Sequence, residues 1–267
     1  MKKIVFIFFF AVICLMAKAQ VTLYFDGDGK AVSSLQEAKS YVVIIPDSTD
    51  NQKAVVRCYD VSGQIVSEDR FSVFKEIKNM AHFKEWLSME PLRWSILNTN
   101  HKRDGKHKEW YASGQLHVIV DYVDGLRSGF LLSYWKNGQL KRRDVYDNGK
   151  FVKGQCFDSL GKEIPYYEYV IMPKFIGECG GIGQYLSKNI RYPVKAQENR
   201  IEGRVIVKFI VNTNGTISNV EVEKKIHASL DAEAYRVVSG LTKWIPGQID
   251  GEKVNVPYVL PVNFKME

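Results

Sequence analysis

The sequence has little of what marks a metal centre, a catalytic pair or a disulfide-rich scaffold. Its five histidines show no metal-ligand spacing, and none of its four cysteines belongs to a C-x-x-C pair. Cys179 and His227 could be imagined as nucleophile and base, but no supporting spacing or oxyanion motif accompanies them. The histidines are His82, His101, His107, His117 and His227. These absences predict a protein that is not an enzyme and that binds no metal or cofactor.

Long apolar runs are also scarce. The longest, Ile4–Met16, is shorter than the roughly 20 residues that a membrane-spanning helix needs. Lysines precede it and Ala17-Lys18-Ala19 follows as a small-x-small cleavage site, which predicts a signal peptide over residues 1–19. The mature chain would then begin at Gln20 in the periplasm. An uncleaved anchor associated with the inner membrane, and a lipoprotein built on Cys14, are the alternatives.

Removal of the signal peptide leaves Cys58, Cys156 and Cys179. Because an odd number of cysteines cannot all pair within one chain, either one disulfide with a free thiol or three buried thiols would fit.

Positive charge is in excess and is unevenly distributed. The formal net charge is +7, and residues 101–154 hold 11 Lys or Arg against 6 Asp or Glu. A cationic patch suggests nucleic acid as a partner, but the predicted export of the protein argues against that partner. Anionic lipid or polysaccharide would be better candidates, and an ordinary solvated face is the plainer interpretation.

Residues 20–100 are predicted to be a β-rich segment with one helix. Tyr41–Ile45 and Ala54–Tyr59 are short apolar runs that end at turn residues, as strands do. Over Phe74–Leu87 the apolar period becomes helical, and Pro91 lies just beyond.

An internal repeat begins at Gly105. Glycines at 105, 114 and 125 recur 24 residues later, and Trp110–Leu116 aligns with Tyr134–Leu140. A degenerate third copy runs through 154–164, and Tyr59–Ile65 resembles a fourth. Each copy predicts a β-hairpin that must stack on its neighbours to bury its apolar face. Residues 101–164 resemble MORN-like repeats, which serve as binding surfaces or as spacers.

The last predicted domain covers residues 165–267 and opens with an extended segment, Tyr166–Pro173. An amphipathic helix follows, with Ile182, Tyr185, Leu186 and Ile190 on one face, and Tyr192-Pro193 is expected to stop it. Two alternating strands then flank the turn Asn214-Gly215, which is typical of a hairpin.

A second helix is predicted to begin at a Ser229 cap, and a last strand covers Val254–Phe264. This order of elements predicts an α+β fold, a small antiparallel sheet with two helices on one face.

The motifs of this domain together resemble the TonB carboxy-terminal domain, in the variant common in Bacteroidetes. They are Tyr192-Pro193, Gly203, the alternating Val205, Val207, Phe209 and Val211, Asn214-Gly215, Leu230-Asp231 with Ala234, Trp244-x-Pro246-Gly247, and Val256-Pro257 with Pro261-Val262-x-Phe264. The resemblance implies binding of the TonB box, a short peptide of outer-membrane TonB-dependent transporters, by strand addition in support of energised transport. It leaves open an inner-membrane proton-driven motor complex and a homodimer as further partners.

Two departures from that family bear on motor coupling. A familiar energy transducer has an uncleaved membrane anchor and a long proline-rich linker, whereas this chain has a short predicted signal peptide and eight scattered prolines. A soluble adaptor is therefore an alternative to an anchored transducer. A cell-envelope interaction scaffold that uses the MORN-like repeats is the competing function.

Two prolines predict which edge of the last strand is free. Pro257 and Pro261 have the same parity, so both missing N–H groups lie on one edge, and proline is tolerated where that edge faces outward. The remaining donors of that edge would be Asn255, Val259 and Asn263. The alternative is that the prolines merely end strand pairing.

The family resemblance adds Arg191, Tyr192 and Pro193 as partner-binding candidates. Packing of Tyr192 on the sheet, with Pro193 only breaking a helix, is the alternative.

Overall fold

The computed structural model describes residues 20–27, 31–50, 52–74, 101–177 and 180–266. These fall into two compact units, one with the described residues up to 164 and one from 165 onward. The predicted signal peptide, Cys179 and nearly all of the helix predicted over Phe74–Leu87 lie outside the described residues, and Phe74 itself ends a strand.

The first unit is made of strands. They are β1 (Val21–Phe25), β2 (Ala31–Val32), β3 (Ser40–Pro46), β4 (Ala54–Asp60), β5 (Ile65–Phe74), β6 (His101–Arg103), β7 (Gly105–Trp110), β8 (Leu116–Val123), β9 (Leu126–Tyr134), β10 (Leu140–Asp147), β11 (Lys150–Phe157) and β12 (Glu163–Ile164).

All these strands belong to one 12-stranded antiparallel sheet, in the order β12-β11-β10-β9-β8-β7-β5-β4-β3-β1-β2, with β6 also paired to β5. The predicted hairpins thus continue the sheet of the amino-terminal strands through the β5–β7 pair. The division into domains at residue 100 stays a prediction.

Four hairpins of the sheet are closed by the same turn. In the first repeat, the Gly114 N–H donates to the Tyr111 carbonyl at 2.8 Å, and the Tyr111 N–H donates to the Gln115 carbonyl at 2.9 Å. The same two bonds close the turns at 60–64, 135–139 and 158–162. Gly114 has a φ of 82°, which glycine adopts without strain. The upstream copy therefore shares the repeat's turn geometry, while membership of the MORN-like repeats stays a prediction.

The two faces of this sheet differ in burial. We call the buried side the inner face; its apolar members include Val56, Phe71, Val118, Val120, Leu131 and Cys156. The opposite side, which we call the outer face, is mostly half-buried to exposed, although Val43 and Glu68 on it are buried. Four of the cationic residues of 101–154 are buried, namely Arg103, Arg127, Lys141 and Arg142. The cationic surplus of the repeats is therefore only partly a surface property, because these four are withdrawn from solvent.

The second unit mixes helices and strands. Its elements are β13 (Val170–Ile171), β14 (Lys174–Phe175), α1 (Ile182–Asn189), α2 (Val194–Glu198), β15 (Gly203–Val211), β16 (Ile217–Lys224), α3 (Ala228–Ser239), β17 (Trp244–Ile245), β18 (Gly247–Ile249), β19 (Glu252–Val254) and β20 (Val256–Phe264). The main sheet has the order β16-β15-β20; β13 pairs with β18, which pairs with β19, and β14 pairs with β17. The predicted α+β fold with a small antiparallel carboxy-terminal sheet is confirmed.

One hydrophobic core holds this unit together. Val205, Val207 and Phe209 of β15 face α3 residues such as Leu230 and Val238, and all of these are buried. The predicted stripe of α1 packs against the same core. Burial of such side chains stabilises the fold by about 1.5–3 kcal/mol each.

Three local predictions in this unit are wrong. Helix α2 was not expected, because five residues are too few for a period to show, and Pro193 caps it rather than only ending α1. His227, not Ser229, caps α3, since the His227 side chain accepts a hydrogen bond from the Ser229 N–H. The predicted last strand is two strands, β19 and β20, that belong to different sheets.

Within the described part of the chain, no helix has both the length and the apolar character required to cross a membrane.

Candidate peptide-binding edge

Strand β20 lies at one edge of its sheet. It pairs with β15 over its whole length, from Val256 opposite Val211 to Phe264 opposite Gly203, without a register shift. The other side of β15 is occupied by β16. Among the described residues no strand pairs with the remaining side of β20. That side therefore offers backbone groups to an added strand.

Burial of alternate side chains fixes the orientation of β20. Val256, Leu260, Val262 and Phe264 are buried in the core, whereas Val259 is 44% exposed. A slip of one residue would move every buried side chain of the strand to the solvent side, so the register is strongly specified.

The prolines of β20 mark which backbone groups point outward. Pro257 and Pro261 lie opposite Ile210 and Ile206 of β15. In an antiparallel pair only alternate residues exchange backbone hydrogen bonds, and a proline has no N–H to give. Because the prolines occupy non-bonded positions, the backbone N–H and C=O groups of the odd-numbered residues of β20 point away from β15.

The predicted edge residues are placed differently from one another. Val259 and Asn263 lie within β20, while Asn255 is the single residue between β19 and β20. The Asn255 Oδ1 accepts a hydrogen bond from the Thr213 N–H at 3.0 Å. This bond joins the point where the chain passes from β19 to β20 to the turn between β15 and β16. The Asn263 Oδ1 accepts from the Arg204 Nε at 2.8 Å, across the β15–β20 pair.

Tyr192 packs at the carboxy-terminal end of β20. Its ring meets the Phe264 ring edge-on, with centroids 5.8 Å apart, and its hydroxyl donates to the Ile201 carbonyl at 2.7 Å. Arg191 precedes it on the link between α1 and α2, and Pro193 is the residue before α2. Tyr192 thus lies near one end of β20 and Asn255 immediately before the other.

Sequence reasoning missed a carboxylate that holds this link in place. Glu233 of α3 is 9% exposed, and it accepts from the Arg191 N–H at 2.6 Å and from Arg236 Nε at 2.8 Å. Arg236 Nη2 also donates to the Asn189 carbonyl at 2.8 Å. Burial raises the pKa of Glu233, but the hydrogen bonds from Arg236 and from the Arg191 N–H, with the charges of both arginines, together outweigh burial and leave the pKa below its usual value. The opposite charges three residues apart were a visible, though weak, indication.

Of the pair Cys179 and His227, only His227 lies among the described residues. His227 is engaged in capping α3, with its Nδ1 2.8 Å from the Ser229 Oγ. In the described ranges no three His, Cys, Asp or Glu side chains are grouped so that they could hold a metal ion.

Comparison with known proteins points to the same unit. Residues 188–266, less than a third of the chain, match the family model described as the Gram-negative bacterial TonB protein C-terminal. No curated protein gives a significant match.

Two solution NMR structures of the Helicobacter pylori TonB C-terminal domain are similar to this chain. One has 23% sequence identity, covers 32% of this chain and 77% of its own, and has a TM-score of 0.27. The other has 23% identity, covers 30% of this chain and 85% of its own, and has a TM-score of 0.25.

Proposed function

We propose that this is a TonB-like protein of the Gram-negative periplasm that binds the TonB box of outer-membrane TonB-dependent transporters. The peptide adds as a fourth strand to the outward edge of β20 and so supports energised transmembrane transport. The protein acts by binding and not as an enzyme.

The free edge of β20 is the observation that carries the proposal. Strand addition takes its affinity from main-chain hydrogen bonds, and β20 has an edge with no partner among the described residues. Pro257 and Pro261 on that edge limit indiscriminate pairing, because a strand added there finds fewer donors. Val259 and Asn263 supply the donors that remain.

The test is an NMR titration of ¹⁵N-labelled chain, residues 20–267, with synthetic TonB-box peptides from transporters of the same organism. We expect saturable shifts at the amides of Val259 and Asn263, smaller ones at Asn255, and changes around Arg191 and Tyr192 at one end of the strand. A peptide that binds while the β20 amides stay unmoved would overturn the edge assignment.

A substitution at the centre of the edge separates main-chain from side-chain binding. Val259→Pro removes one outward N–H in a strand that already holds prolines at 257 and 261, and should weaken peptide binding at least about tenfold. Val259→Ala keeps the N–H and is the matched control, with affinity expected within about twofold of the parent chain. Equal affinity for the two variants would exclude strand addition at this edge.

A further inference from the structure

The outer face of the 12-stranded sheet carries a row of aromatic side chains next to the shared turns. Each of the four hairpins places one aromatic residue at or next to the end of its first strand; these are Tyr59, Trp110, Tyr134 and Phe157. The register sets them opposite Ile65, Leu116, Leu140 and Glu163 of the return strands. Tyr41 and Tyr24 extend the row onto β3 and β1, because Tyr41 pairs with Tyr59 and Tyr24 with Tyr41.

These rings face solvent while their chain neighbours face inward. Ser133 and Cys156 are completely buried, whereas Tyr134 and Phe157, the next residues, are half-buried. Successive residues of a strand point to opposite faces, so the aromatic row belongs to the outer face. The rings of Tyr41 and Tyr59 stack with centroids 4.9 Å apart, which makes the row continuous between β3 and β4.

The row has a regular period across the sheet. Strands β4, β7, β9 and β11 are each separated by one return strand. Neighbouring strands lie about 4.7–4.9 Å apart, so an aromatic ring recurs roughly every 9–10 Å, with mainly aliphatic side chains between. A β-linked polysaccharide presents the flat, apolar face of its sugars at a similar interval, one disaccharide repeat. Half-buried rings in a regular row suit such a face better than they suit lipid tails, which take protruding apolar groups.

Cations lie beside the row on the same face. Lys108, Arg143 and Lys153 alternate with inward residues on β7, β10 and β11. Arg143 donates to the Gln155 Oε1 at 2.6 Å. Within the described ranges none of the three cations forms an ion pair, so their charge is available to an anionic ligand.

We propose that the outer face binds an extended β-linked polysaccharide bearing carboxylates, which lies across the strands. Its sugar rings stack on Tyr59, Trp110, Tyr134 and Phe157, and its carboxylates reach Lys108 and Arg143. All four rings give the site apolar contact, and Tyr59, Trp110 and Tyr134 add a polar tip that hydrogen-bonds hydroxyl groups. The site lies in the first unit and does not depend on peptide binding at β20.

The test is isothermal titration calorimetry of the chain, residues 20–267, with hyaluronan octasaccharide as the probe. Hyaluronan is β-linked and carries one carboxylate in each disaccharide. We expect saturable binding that weakens as salt is added, since screening acts on exposed charges. Chitohexaose, a neutral β-linked oligosaccharide, should bind several-fold more weakly.

Two sets of variants locate the site. The double variant Trp110→Leu with Tyr134→Leu should weaken hyaluronan binding about tenfold or more, because two of the rings on which the sugar faces stack are lost. Phe130→Leu is the matched control, since Phe130 is 49% exposed on the same face but lies outside the row.

Lys108→Gln with Arg143→Gln should weaken binding several-fold and remove most of the salt dependence. If circular dichroism shows that the aromatic double variant does not fold, the double variant of Lys108 and Arg143 still tests the proposal.

Several results would overturn the proposal. The first is that hyaluronan does not bind at millimolar concentration. The second is that Phe130→Leu lowers the hyaluronan affinity as much as the row variants do. The third is that poly-glutamate displaces hyaluronan at equal charge. Sedimentation with phosphatidylglycerol vesicles in place of glycan binding would assign the face to a lipid surface. The TonB-box titration should be unaffected by the row variants, so failure of one proposal is distinguishable from failure of the other.

Discussion

His107 is held between two carboxylates on the inner face of the first unit. Its Nδ1 lies 2.7 Å from the Asp69 Oδ1 and its Nε2 lies 2.9 Å from the Glu109 Oε1. Both ring nitrogens can donate at once only in the charged imidazolium. Burial disfavours that charge, but the charge of Asp69 and the hydrogen bonds to Asp69 and Glu109 together outweigh burial and raise the pKa of His107 to about 9. Burial likewise raises the pKa of Asp69, and the charges of Arg103 and His107 lower it below its usual value.

This arrangement predicts a specific dependence of stability on pH. Because the folded-state pKa of His107 is raised, its contribution is complete below about pH 6.5 and is lost as the pH rises through about 9. NMR titration of the His107 ring should give a midpoint near 9, and the free energy of unfolding of the first unit should fall across that window by about 3 kcal/mol.

His107→Gln should remove that fall in stability, whereas His117→Gln, whose ring lies 3.8 Å from the same Glu109, should keep it. A His107 midpoint near 6.5 would contradict the prediction.

Gly215 is required by the turn that joins β15 to β16. Its φ is 80°, and a Cβ built there would clash with the Trp244 carbonyl oxygen. Gly215→Ala should therefore lower the free energy of unfolding of the second unit by about 1–3 kcal/mol. Gly183→Ala is the control, because Gly183 lies in α1 with open space around it and alanine favours a helix there by about 0.5–1 kcal/mol. Urea unfolding followed by near-ultraviolet circular dichroism would measure both, and a neutral Gly215→Ala would refute the clash.

At the scale of elements, the link between α1 and α2 depends on one carboxylate of α3. Glu233 accepts hydrogen bonds from Arg191 and Arg236, and these partners would lose a charged acceptor on Glu233→Gln. We expect a loss of about 1–3 kcal/mol of unfolding free energy and shifted amides at Arg191 and Tyr192. Glu198→Gln on the exposed side of α2 should change neither. Unchanged amides in Glu233→Gln would show that the link is held by packing alone.

The pairing of elements also explains which predictions succeeded. Strands with strict alternation, such as β15, were evident because every second residue enters the core. Helix α2 and strand β19 were missed or merged because each is too short for its period to show, and because Asn255 ends a strand only through its bond to Thr213.

At the scale of the molecule, the two units should respond differently to deletion. Among the described residues, the core of the second unit is built from residues between Phe175 and Phe264. In the first unit, β5 pairs with β6 and β7, and Asp69 of β5 pairs with Arg103. Removal of residues 101–164 would leave the β5 edge and a buried carboxylate without partners.

We therefore expect residues 165–267 to fold alone and residues 20–100 to lose cooperative unfolding. Thermal unfolding of the two fragments followed by circular dichroism would test this. A cooperative transition in 20–100 would show that the amino-terminal strands form a module of their own.

The sequence by itself determined the hairpin repeat, the order of α1, β15, β16, α3 and β20 in the carboxy-terminal unit and the parity of Pro257 and Pro261, because each follows from local periodicity or from a missing donor. Only the tertiary structure decided that the hairpins extend the amino-terminal sheet, that Arg103 and Arg142 are buried with carboxylate partners, and that β20 is an edge. The physical reason is that strand neighbours and buried ion pairs join residues far apart in the chain, and no local pattern records which of them meet.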